Sequence, residues 1–398
     1  MPALLLREGS AKEAQLNESR LEQLDLRCSE WVKQGLTDSL ITIVARHGVV
    51  AFHEAYGRIA PEPDARALEK DDMFPISSLS KPFTATALMM LMEQGLVHVN
   101  KPVIDYLPEM ADVCPKDVQV RHLLTHTSGF EEEDLMAFQM KMHKKIELPP
   151  LPDNQHKVLH SVLHSRFGCP PQRQPNEMMS YCNHGYNLIT EIIRRVCGTS
   201  FEQFMQEQLL QPLGMSSSSF RLKEQFKSKM VKRSPIPDNM FGVDLNNESY
   251  LDIPWGSAGL LSTARDIAQF GQMFLNQGSY GDHQLLSRAA VKTMTSNQIP
   301  QGVPEKDILT NVPQGSYGYG WFIFGDHPFM MNGVLVPKGS YSHGGMGGSL
   351  MWVDPLNDLV GVLLQVWKFE EGVVPGPPDN PPKLNTGIIQ DMITSAVL

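Results

Sequence analysis

The sequence predicts an α+β fold: one antiparallel sheet built from N- and C-terminal strands and flanked by helices, with a mainly helical region inserted between them. Two observations carry this. Apolar, β-branched runs surround "RHG" near residue 47, and similar runs bounded by Gly, Pro, Asn and Asp return between residues 317 and 367. A third supports it: the stretch between them is dominated by helical spacing.

In chain order, residues 16–36 carry apolar side chains at helical spacing and end in Gly35, which predicts a helix. Residues 39–57 read as a β-hairpin. From Phe83 to Met92 nearly every residue is apolar or small, so that helix is expected to be buried on most sides, with Gly95 as its stop. A short helix is expected within 120–130, ending at Ser128-Gly129. Residues 131–175 hold an acidic run, the basic run "KMHKK" and six prolines, and read as the least regular region, an insertion or lid. Helices are expected near 183–197, 200–211, 264–276 and 286–296. Strands are expected at 317–325, 339–345, 349–355 and 358–367, then a last helix at 385–398. "GVVPGPPDNPPK" (372–383) is the one low-complexity tract. The domain expectation is a sheet domain of 1–77 and 300–398 and a helical domain of 78–299 with the lid-like insertion at 131–175.

At 398 residues the chain can bury a large core, and 41% hydrophobic with 20% charged residues is a globular composition. A net charge of −10 without long single-sign runs argues against nucleic acid as a partner. No stretch approaches a membrane span. Five cysteines, odd in number and without C-x-x-C spacing, suggest neither a disulfide framework nor a zinc cluster. Together with an N-terminus lacking a signal-like apolar run, they lead to the expectation of a cytoplasmic protein.

The stretch "FPISSLSKPF" (74–83) places Lys81 at the start of the buried helix, three residues after Ser78. A helix N-terminus disfavours a cation, and burial disfavours it further. Residues i and i+3 share a helix face. A neutral Lys81 amine would therefore sit beside the Ser78 hydroxyl as the base a serine nucleophile needs. About one S-x-x-K is expected by chance in such a chain, so alone the motif carries little, and Ser77 and Ser80 could be plain helix caps. Two further motifs add weight. Tyr181-Cys182-Asn183 is the only Y-x-N, and "YSHGGMGG" sets His343, Gly344 and Gly345 on an expected strand. Glycines there admit a close approach of substrate to the backbone, with the Met346 N–H free to donate.

In this order the three motifs resemble those of the penicillin-recognising serine hydrolases, nearest the branch that holds class C β-lactamases, D-alanyl-D-alanine carboxypeptidases, family VIII carboxylesterases and lovastatin-type acyltransferases. Framework stretches such as "LMEQGLVHVNKPVIDYLPEM", "VRHLLTHTSGF" and "SAGLLSTARDIAQFGQMFLNQG" are similar too, from about Leu40 to Gln365. The resemblance implies a β-lactamase/transpeptidase-like fold, in which Ser78 accepts the acyl group and Lys81 and Tyr181 share the base and acid work. It implies that Asn183 binds the amine and a polar group of the substrate, and that Ser78 and Met346 N–H groups receive the oxyanion. His343 stands where the β-lactamases carry a lysine that holds the substrate carboxylate, which lowers the expectation of efficient β-lactam hydrolysis.

The resulting expectation is a serine hydrolase with an acyl-enzyme, of carboxylesterase type on short-chain or specific esters. It needs no cofactor, and its partner is a small-molecule ester or amide. Alternatives are a D-amino-acid peptidase or amidase, a weak β-lactamase, an acyltransferase, or a non-catalytic binding relative. His122 and His126, four apart, could pair on a metal, but no H-E-x-x-H glutamate lies between them, so no metal is expected. Trp255 could line the cleft or belong to the core. The Met-rich run 89–92 reads as core filler.

Overall fold

The computed structural model describes residues 3–142, 145–234, 243–306, 316–325, 332–368 and 383–398. The strands are β1 (Arg7–Glu8), β2 (Thr37–Arg46), β3 (Val49–Gly57), β4 (Phe74–Pro75), β5 (Leu261–Ser262), β6 (Ser279–Tyr280), β7 (His283–Gln284), β8 (Phe322–Ile323), β9 (Tyr341–Gly345), β10 (Ser349–Asp354) and β11 (Leu359–Trp367). The helices are α1 (Glu18–Lys33), α2 (Ser80–Glu93), α3 (Val120–Leu124), α4 (Glu132–Met142), α5 (Lys157–Arg166), α6 (Asn183–Cys197), α7 (Phe201–Met205), α8 (Glu248–Leu251), α9 (Ala264–Leu275), α10 (Arg288–Met294) and α11 (Thr386–Ser395).

Seven strands form one sheet in the order β1-β3-β2-β11-β10-β9-β8, antiparallel except where β1 runs parallel to β3. The hairpin at 39–57 and the C-terminal strands thus join through β2 and β11, whose register pairs Ile43 with Val362. β2 reads as a nearly continuous apolar run because both its faces are covered. On one face Leu40, Val44, Trp352 and Leu363 pack under α1 and α11. On the other, Ile41, Ile43, Met351 and Val362 join a core with Phe83 of α2 and with Phe270 and Phe274 of α9. Phe83 and Phe270 stack with ring centroids 3.7 Å apart. α2 is buried from Ser80 to Leu91, as its composition demands, and Gly95 ends it at φ 73°.

Several expectations change. The helix within 120–130 stops at Leu124: Thr125 turns its hydroxyl back to the Arg121 carbonyl at 2.9 Å, and His126 takes a left-handed φ of 59°. The region 131–175 holds more regular structure than its composition suggested. It contains α4 and α5, with Glu132, Glu133 and Asp134 in the favoured first turn of α4 and the prolines confined to loops outside both helices. Of 317–325 only Phe322–Ile323 forms a strand, because the Gly318 N–H closes a turn on the Trp321 carbonyl at 2.8 Å. The expected helix at 200–211 begins as α7 and continues as a wider π turn over Gln206–Leu210. The tract 372–383, apart from Lys383, and His143 and Lys144 of "KMHKK" lie outside the described residues.

Candidate active site

The nucleophile candidate sits on a short 3-10 turn, Ser77–Leu79, launched from β4 and running straight into α2. β4 pairs with β5, and the Ile76 N–H donates to the Leu260 carbonyl, so the turn is anchored to the segment before β5. Ser77 adopts φ 50°, which aims the turn and carries a conformational cost. Neither flanking serine is the plain helix cap that it could have been. Ser80 Oγ donates to the Ser77 carbonyl at 2.7 Å and accepts from the Leu260 N–H at 2.9 Å, while Ser77 Oγ is buried without a partner among the described residues.

Lys81, fully buried, has three polar neighbours. Its Nζ lies 3.0 Å from Ser78 Oγ, 2.8 Å from Asn183 Oδ1 and 3.0 Å from the Ser257 carbonyl. Burial pushes the amine down to about 7, against the opposing pull of Glu132 and Cys182. The geometry shows which way the neutral amine faces. Asn183 Oδ1 and the Ser257 carbonyl can only accept, so they take the two N–H bonds, and the nitrogen lone pair is left for the Ser78 hydroxyl.

Tyr181 and Asn183 arrive just ahead of and at the start of α6, which packs on α2 and α3. Lys81 Nζ lies 4.6 Å from the centre of the Tyr181 ring. Burial raises the Tyr181 phenol, and the Ser78 side chain works against that shift. His126 stacks on Tyr181 with centroids 4.3 Å apart, and its Nδ1 accepts the Cys182 N–H at 3.1 Å, which leaves its proton on Nε2. Burial first, then Lys81 and His343, hold His126 far below the ordinary histidine value. His122 is committed to the framework: its Nδ1 accepts the Gln119 N–H at 3.0 Å, and Nε2 meets Asn176 Nδ2 at 3.2 Å.

The third motif closes the site from the sheet. Gly345 on β9 lies against the nucleophile turn so closely that a Cβ there would collide with the Ile76 carbonyl and Ser349 Oγ. Ser349 Oγ donates to that same carbonyl at 2.7 Å. Met346 follows on the turn between β9 and β10, where Gly347 has φ 92° and its carbonyl accepts from the buried Arg233 guanidinium. His343 is buried on β9. Its Nδ1 donates to the Gly344 carbonyl at 2.7 Å, and its Nε2 accepts from the Tyr317 hydroxyl at 3.1 Å. Burial, then Lys81, push it down to about 3, so it is neutral.

Ser78, Lys81, Tyr181 and Asn183 therefore meet at one point, with Gly345 behind the turn that carries Ser78. Motif reading missed Ser257, Ser349, Arg233 and the carboxylates of Glu131 and Glu132. The last two had a visible signal, an acidic cluster at a helix start. The others are contacts between distant segments and leave none.

The sequence model of the beta-lactamase family matches residues 29–373. The chain belongs to that family. As a member of this beta-lactamase-related group it is a serine hydrolase. It is 24% identical over 416 residues to an Escherichia coli (strain K12) protein provisionally named as a D-alanyl-D-alanine carboxypeptidase, covering 96% of this chain and 90% of that one. Among solved structures, it is similar to EstCE1, a hydrolase with promiscuous acyltransferase activity. That match has a TM-score of 0.73 and 19% identity, over 97% of this chain and 99% of the other. A family VIII carboxylesterase superposes with a TM-score of 0.72 at 19% identity, over 96% and 99% of the two chains. At 19% identity these two likenesses speak to the fold alone.

Proposed function

We propose that this beta-lactamase family member is a carboxylesterase that works through an acyl-Ser78 intermediate on neutral short-chain or otherwise specific esters. The observation that carries the reading is the buried Lys81 amine, near pKa 7 and 3.0 Å from Ser78 Oγ. In the acylation step Ser78 Oγ attacks the ester carbonyl carbon and its proton passes to Lys81 Nζ, with the Tyr181 phenol as the acid for the departing alkoxide. The N–H groups of Ser78 and Met346 receive the oxyanion. Water then attacks the acyl carbon, and the reverse proton transfers release the acid. The sheet domain of 1–77 and 300–398 and the helical domain of 78–299 would meet at this site, with the 131–175 segment shaping the acyl pocket.

The preference for neutral esters is supported by His343. A neutral imidazole turned onto Tyr317 presents no cation to a substrate carboxylate. Acyl transfer is the second reading, supported by the activity attributed to EstCE1: an alcohol admitted in place of water would take the acyl group.

A fluorophosphonate probe followed by intact-mass measurement tests the chemistry. One adduct is expected, lost in Ser78→Ala. Absence of an adduct on the wild-type protein sinks the reading. A panel of p-nitrophenyl esters beside nitrocefin and D-alanyl peptides tests the class, and faster turnover of nitrocefin or the peptides than of any ester overturns the ester preference. Adding a primary alcohol and assaying for the new ester separates transfer from hydrolysis.

A further inference from the structure

The acidic turn at the start of α4 lies outside the three motifs, yet two of its side chains bracket Tyr181. On one side, Glu131 Oε2 accepts from Ser180 Oγ at 3.0 Å. On the other, Glu132 Oε2 accepts the backbone N–H of Asn183 at 3.0 Å and of His184 at 3.3 Å, with the Cys182 thiol at 3.5 Å. Its second oxygen accepts from Arg166 Nη1 of α5 at 2.9 Å. Those amides are the free donors that open α6, where a side chain at the cap position usually supplies the acceptor. Cys182 holds that position and makes no capping bond. The cap comes instead from another helix, 50 residues upstream.

We propose that Glu132 is a positioning residue for the chemistry at Ser78, holding the backbone of Cys182–His184 so that Tyr181 and Asn183 meet Lys81, and bringing its carboxylate to the backbone of the residue whose side chain binds that amine. The inference rests on the acyl-Ser78 reading above. Asn183 is the shared link: its backbone N–H is bonded to Glu132 and its Oδ1 to Lys81. The second consequence is electrostatic. Among the described residues, the titratable groups around the amine are Tyr181 and Cys182 ahead of α6, Tyr186 within it, His126 after α3, His343 and Tyr317 at the sheet, and Glu132, backed by Arg166, from α4 and α5. Burial holds the imidazoles, phenols and thiol neutral. Glu132 opposes the effect of burial on Lys81 and so favours the ammonium.

The experiment compares full-length wild type, Glu132→Gln, Glu132→Ala and Arg166→Gln. Two readouts are taken: kcat and KM against pH on p-nitrophenyl acetate, and a carbon-13 NMR titration of ε-labelled lysine, with the Lys81 signal assigned through Lys81→Arg. Glutamine keeps an acceptor oxygen and loses the charge, so Lys81 is expected to titrate at lower pH, and the acidic limb of kcat moves with it. Arg166→Gln frees the Glu132 charge and is expected to move both to higher pH. Glu132→Ala loses the cap as well, and its plateau kcat should fall on the order of 10- to 100-fold, the scale of a misplaced catalytic group, further than in Glu132→Gln. Unmoved titrations in both charge variants, or a plateau kcat in Glu132→Ala equal to wild type, overturn the proposal. Arg166→Gln keeps Glu132 in place and carries the test if the Glu132 variants do not fold. If wild type proves inactive on esters while the titrations shift as stated, the esterase reading fails and the placement of the charge is supported.

Discussion

Lys81 Nζ lies 3.0 Å from Ser78 Oγ, and its other two polar contacts, Asn183 Oδ1 and the Ser257 carbonyl, are acceptors only. A neutral amine in that setting points its lone pair at the hydroxyl. What looks like an ill-placed cation at a helix start is an amine with one direction open to its lone pair, as the proposed base role requires.

Activity should therefore rise with pH through about 7, as the amine loses its proton. A stopped-rate profile on a p-nitrophenyl ester from pH 5 to 9 checks this. A maximum below pH 5 would contradict a neutral Lys81. Lys81→Ala should lower kcat/KM on the order of 10²–10⁴-fold, the range of a general base.

The same shift makes a stability prediction with a definite sign. The folded amine titrates near 7 and the unfolded one near its ordinary value of about 10.4. Between these values the unfolded chain holds a proton that the folded chain lacks, so raising the pH favours the folded form. Below about 7 the fold carries the full cost of the buried ammonium. Lys81→Met removes this group, so denaturant titrations at pH 6.5 and 9.5 should show wild type gaining stability relative to the variant at the higher pH. An unchanged difference would mean that the amine is not depressed.

Tyr181→Phe retains the ring that stacks on His126 at 4.3 Å and loses only the hydroxyl. The expected result is a thermal midpoint close to wild type with kcat lowered on the order of 10²–10⁴-fold, if the phenol moves the proton. A kcat within threefold of wild type would reassign that role.

Gly345→Ala places a methyl group against the Ile76 carbonyl and Ser349 Oγ, at the seam between β9 and the nucleophile turn. The seam has to open, which carries Ser78 away from its partners, and a shift of about 1 Å costs on the order of 100-fold in rate. Fluorophosphonate labelling should slow in parallel with turnover, and equal labelling rates would show that the seam can relax elsewhere.

Much of the fold was legible in the sequence because it rests on local signals. Periodicity marked α1, α6 and α9, and the apolar run marked α2 as buried. Apolar strand runs at both ends of the chain with helices between them pointed to one shared sheet, which β2 and β11 close. The motifs picked out Ser78, Lys81, Tyr181 and Asn183 by residue type and order. Local signals also misled, at 120–130 and 317–325, where Thr125 and the Gly318–Trp321 turn satisfied the backbone in ways that spacing does not reveal.

By itself, then, the sequence determined the fold class and the residue types of the site, because both are written in short-range pattern. Only the tertiary structure decided how those residues behave. The desolvation of Lys81, the inward turn of His343 onto Tyr317, and the grip of Glu131 and Glu132 on either side of Tyr181 all depend on segments tens to hundreds of residues apart. Periodicity says which side chains leave water; it does not say which of them meet when they do.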